Sequence, residues 1–192
     1  MKTKLFSREI IPFFGAFFLL VFVALLADAV LHYANMVWIG RYLGIAGVLL
    51  ILGSFKYSLR RRKIIKTGNP SSLLRRHELM AWAGSLLILV HAGIHFNSIL
   101  AWLAIWTMLI NVASGLTGKF LLGRVRKRLE EARKTMLHQG MTKDQLEEHT
   151  YWDAMTFDVV KQWRAVHFPI TLAFVVLGLG HIVAVFLFWG WK

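Results

Sequence analysis

Residues 78–122 read ELMAWAGSLLILVHAGIHFNSILAWLAIWTMLINVASGLTGKFLL. As one helix these 45 residues would reach about 67 Å, more than twice the roughly 30 Å hydrocarbon core of a bilayer. The stretch must fold back, and Phe96-Asn97-Ser98 is the polar break near its middle. Two membrane helices follow from it, at about 77–96 and 100–122. Working outward, further apolar stretches lie at about 10–33 and 38–58 before it and at about 166–189 after it. The expected fold is therefore all-α: a helical bundle of five transmembrane helices forming one membrane domain over 1–192.

Composition and charge agree with that reading. Apolar residues make up 57% of the chain and charged residues 17%, yet the formal net charge is +13. The mean hydropathy is +0.55. A basic soluble protein would suggest nucleic acid, but its charges would not be clumped between long apolar runs. Here 21 of the 23 lysines and arginines precede the first span, lie between the second and third, or follow the fourth. Arg41 and Lys192 remain for the other side. The positive-inside bias places the N-terminus in the cytoplasm, in a bacterial-type inner (cytoplasmic) membrane, and explains the charge without nucleic acid. The lysines, the apolar run and Ala27-Asp28-Ala29 also imitate a signal peptide. The 18 apolar residues from Ile10 to Ala27 exceed the usual length of such a segment, so an uncleaved helix is expected.

The soluble piece is the cytoplasmic loop 123–164. Arg124 to Gln139 reads as a basic amphipathic helix broken at Gly140, and Thr142 with Gln145 makes a capping box for a second short helix. Such helices suit the anionic inner leaflet, so membrane lipid is an expected partner.

No cysteine is present, which excludes disulfides, thiolate nucleophiles, cysteine-held iron–sulfur clusters and covalent haem attachment. Eight histidines carry the remaining chemistry. His77 and His91 are 14 residues apart, as are His167 and His181. Random placement would give roughly 0.3 such pairs. Fourteen residues fall about 40° short of four helical turns, so each pair shares a helix face and spans about 21 Å. The third and fifth helices both run outward, which puts His77 level with His167 and His91 level with His181. That geometry suits two stacked haems, each iron held by one imidazole from either helix, an arrangement with no open position that favours electron transfer. A flat macrocycle between helices needs small neighbours, for which Gly84, Gly93, Gly178 and Gly180 are placed. Arg75, Arg76 and Arg164 sit at the cytoplasmic helix ends, in reach of the propionates of an inner haem.

Paired histidines at this spacing on the third and fifth helices resemble the membrane core of the ferric reductase and NADPH oxidase superfamily. Arg76-His77-Glu78, Ser114-Gly115-Leu116-Thr117-Gly118-Lys119 and Trp163-Arg164-Ala165-Val166-His167-Phe168-Pro169 are similar to bacterial membrane cytochromes b of that broad type. The resemblance covers roughly His77 to Phe188. It implies that His77, His91, His167 and His181 ligate two non-covalent b-type haems. The chain departs from the reductases in having no flavin or nicotinamide domain, and no strand–Gly-x-Gly-x-x-Gly–helix unit is present. Electrons are then expected from quinol or from a partner redox protein, within a larger membrane complex or outside one.

His95, one turn after His91, is an alternative ligand to it. Asp28 and His32, one turn apart near the outer end of the first helix, form an acid and a base able to take protons from quinol, or a polar pair bonded to a neighbouring helix. His138 and His149 belong to the loop. Gly115-x-x-Gly118-Lys119 lacks the preceding strand of a phosphate loop. The expected function is a di-haem cytochrome b, the electron-transfer subunit of an oxidoreductase. The alternatives are a non-haem scaffold or assembly factor, or a small haem or metal transporter.

Overall fold

The computed structural model describes residues 11–94, 98–122 and 143–188, with single positions or pairs between 130 and 140. All regular structure among them is helical, and five helices are long and apolar enough to cross a membrane. They are α1 (Ile11–Tyr33), α2 (Val37–Arg61), α3 (Pro70–Ile94), α4 (Ile99–Thr117) and α5 (Lys143–Phe188).

The turns follow from local chemistry. Asn35 takes a left-handed φ of 54°, and the Met36 N–H reaches back to the Leu31 carbonyl at 2.8 Å, closing the end of α1. Lys63, with φ 61°, repeats the device after α2, where the Ile64 N–H bonds the Leu59 carbonyl at 3.0 Å. Asn69 then starts α3: its Oδ1 accepts the Ser71 N–H at 3.0 Å, and Pro70 occupies the first helical position. The helix therefore begins at Pro70, ahead of the expected 77, because its capping signal lies outside the apolar stretch. After α4 the backbone widens into a π-helical turn, Gly118–Leu122.

One boundary differs more. The expected second loop helix is not a separate element, because α5 runs for 46 residues from Lys143 through the last span. No glycine or proline interrupts 143–168, so nothing in that segment stops a helix. Gly140, with φ 76°, marks the break before it. The proposed cap Thr142 and most of 124–139 lie outside the described residues. Pro169 is accommodated within α5.

The closest packing is between α2 and α3, followed by α4 with α5; α1 lies mainly on α3. Gly47 and Gly84 make the α2–α3 crossing, where a Cβ on either would lie 2.9 Å from the other's carbonyl oxygen. Small residues let the backbones meet, as membrane helix pairs require when lipid supplies no hydrophobic drive. On the other side Met108 is 1% exposed and packs with Ala104 and Phe174, while Thr171 donates to Asn111 Oδ1 at 2.9 Å. Lys119 and Glu78 form an ion pair at 2.9 Å that ties the end of α4 to α3. By contrast, α3 and α5 make almost no close backbone approach.

Candidate functional site

His91 of α3 and His181 of α5 meet across the gap between those helices. The rings of His91 and His181 face each other across it with centres 6.5 Å apart and planes at 62°. His91 is fixed from α2. Its Nδ1 bonds the Gly40 carbonyl at 2.9 Å. Gly44, one turn further, leaves room for the ring, since a Cβ there would come within 2.8 Å of it. His77 is fixed in the same way. Its Nδ1 bonds the Ser54 carbonyl at 3.1 Å, and its ring stacks on Tyr57 at 5.4 Å between centres. A carbonyl only accepts, so both imidazoles must carry their proton on Nδ1, and Nε2 is the nitrogen that presents a lone pair.

On α5, His167 Nδ1 lies 3.1 Å from the Ser114 hydroxyl of α4, and Gly115 lies beside the same ring. His181 Nδ1 is buried without a hydrogen-bond partner among the described residues. Three of the four imidazoles are thus oriented through Nδ1 by a neighbouring helix. The two carbonyls fix tautomer and ring plane for a metal at Nε2 of His91 and His77, and the Ser114 hydroxyl, which can donate or accept, orients the His167 ring. Phe174, midway between His167 and His181, fills the interior with Met108 and Ala104.

The other expected residues fall in different places. Gly84 faces Gly47 and Ile51 of α2, so helix crossing accounts for it. Gly178 and Gly180 have open space where a Cβ would stand. Gly93 faces the carboxyl group of Asp28, with its absent Cβ 3.0 Å from that carboxyl carbon. Arg75 and Arg76 are exposed. Arg164 and His149, which was expected in the loop, lie in α5 with their side-chain placement outside what is described, as is the alternative ligand His95, while His138 is exposed. Lys119, from the discarded phosphate-loop likeness, is the partner of Glu78, next to His77.

Sequence reasoning missed the residues that orient the rings. Ser54 and Gly40 act through backbone carbonyls, which no side-chain pattern reveals. The small residues Gly40, Gly44 and Gly47 at helical spacing were a legible sign that α2 packs closely against something. Arg62 was missed too, and its guanidinium lies 3.9 Å from the centre of the Phe168 ring, beside His167.

Among the described residues no group of three or more histidine, cysteine, aspartate or glutamate side chains could hold a bare metal ion. A haem iron asks for only two protein ligands, and the paired imidazoles match that demand. No protein family, curated protein or solved structure matches this chain.

Proposed function

We propose that this chain is a di-haem membrane cytochrome b, an electron-transfer subunit that carries electrons across a bilayer and exchanges them with quinone or quinol or with a partner redox protein. The observation that carries the reading is the His91–His181 pair. Two imidazoles with ring centres 6.5 Å apart, on two helices that otherwise stand apart, are the donors that would hold a haem iron between them.

In this reading His91 and His181 hold one iron and His77 and His167 the other. The haems supply reversible one-electron couples, and ligation by two imidazoles leaves no position for oxygen. The protein's own work is orientation. The Gly40 and Ser54 carbonyls and the Ser114 hydroxyl keep each Nδ1 engaged and Nε2 directed to the metal. The distribution of basic residues supports a cytoplasmic side for the end of the bundle that carries His77 and His167, in an inner membrane.

The test is a haem-to-protein ratio on the detergent-purified chain, with a reduced-minus-oxidised spectrum. The expected result is two haems per chain, all removed by acid–acetone because no cysteine tethers them. A ratio near one would eliminate the second site. A colourless protein would remove the reading altogether, as expected of a scaffold, and pigment lost on washing would mark a transporter.

A further inference from the structure

Asp28 belongs to the face of α1 that packs inward. Ala24 and Leu20, one and two turns earlier, are 5% and 0% exposed. Its Oδ1 is buried and receives no hydrogen bond from any described residue. The other acid within the five apolar spans of the described residues, Glu78, is paired with Lys119. A carboxylate in a membrane helix is costly, and one whose buried oxygen has no hydrogen bond from the neighbouring helix is unlike a structural pair, which would be bonded across.

Two further features surround it. Gly93 of α3 lies directly opposite, and any side chain there would press on the carboxyl group at 3.0–3.2 Å. His32 stands one turn on, its Nδ1 3.3 Å from Asp28 Oδ1. The same nitrogen lies 2.9 Å from the Asp28 carbonyl, the shorter of its two contacts. His32 is half-exposed, at 51%, in the last turn of α1. Together they make a base beside a small-residue notch, with an imidazole leading outward to water. Gly93 is two residues along α3 from His91, so the notch lies at the level of the His91–His181 pair and on the other side of α3.

We infer that Asp28, His32 and Gly93 form a quinol-oxidation site. The inference rests on the haem reading above, since the electrons need an acceptor, ferric iron held by His91 and His181. The substrate is a lipid-soluble quinol, which reaches the notch from the bilayer. Its oxidation breaks two O–H bonds and yields quinone, two protons and two electrons. A haem held by His91 and His181 would accept the two electrons one at a time. Each proton goes to the Asp28 carboxylate, then to His32 and out to water, which resets the base.

The experiment uses the purified haem-loaded protein with two readouts: quenching of a fluorescent hydroxyquinoline N-oxide, and stopped-flow haem reduction by a short-chain quinol, normalised to haem. The wild type should bind one probe per chain. Asp28→Asn should weaken the probe by about tenfold or more, as expected for a lost hydrogen bond to a charged group, and slow reduction while both haems stay. Gly93→Ala should do the same by displacing the Asp28 carboxyl group, which a Cβ there would meet at 3.0 Å. Unchanged probe binding and rate in Asp28→Asn would overturn the site. If that variant loses haem, His32→Gln decides. A slower rate with the probe still bound supports the proton route, and an unchanged rate overturns it. A two-haem wild type that binds no probe overturns the quinol site and leaves the cytochrome standing, whereas a colourless wild type overturns both.

Discussion

His91 is held by a carbonyl of the preceding helix, and that bond explains why one residue type is needed at 91. The Gly40 carbonyl takes the Nδ1 proton, so the ring cannot turn to offer Nδ1 instead. His91→Ala and His181→Ala are each expected to remove the same haem and spare the other, read as loss of one component of the reduced spectrum. Retention of both haems in His91→Ala with loss of one in His95→Ala would move the ligand by one turn. At the other level Ser114 is the sensitive outer group, because it contacts His167 through a side chain rather than the backbone. Ser114→Ala should weaken retention of the His77–His167 haem about tenfold, the low end for such second-layer groups, measured by haem loss to an apoprotein acceptor.

At the scale of elements, α2 has the most demanding sequence. Its glycines carry the contact with α3, and two of them meet backbone or ring atoms that cannot yield. A Cβ on Gly47 would lie 2.9 Å from the Gly84 carbonyl oxygen, and one on Gly44 would lie 2.8 Å from the His91 ring. Overpacking in a tight interface costs about 1–3 kcal/mol. Gly47→Leu is therefore expected to lower the thermal midpoint of the detergent-solubilised protein by several degrees. Gly44→Leu should instead cost haem at the His91 level, because the atoms it displaces belong to the ligand. Equal loss of both haems in Gly44→Leu would count against the assignment of that ring. Tyr57 links the same helix to the other level, with its ring on His77 and its hydroxyl accepting from Arg61 at 3.1 Å.

At the scale of the molecule, the charge asymmetry makes a topological prediction that the absence of cysteine renders simple to check. Single cysteines at Lys66 and Lys127 should react with a membrane-impermeant maleimide from the cytoplasmic side, and one at Asn35 from the opposite side. Labelling of Lys66 and Asn35 positions from the same side would overturn the orientation and with it the inner and outer haem levels. The bundle also shows two packed halves, α2 with α3 and α4 with α5, joined at one end by Lys119 and Glu78.

The sequence by itself determined the five spans, because twenty-odd apolar residues have one low-energy arrangement in a bilayer and the backbone must satisfy itself within each. It also determined that each histidine pair shares a helix face, since that follows from the helical repeat alone. It left the ends of α3 and α5 open, because caps and polar helical extensions lie outside the apolar pattern. Tertiary structure alone decided which groups meet. The His91–His181 approach, the carbonyls of Gly40 and Ser54 on the imidazoles, and Gly93 opposite Asp28 all join residues from different helices. Such contacts depend on how each helix is rotated about its axis, which in lipid is set by small residues and polar partners across the interface, and no single helix carries that information.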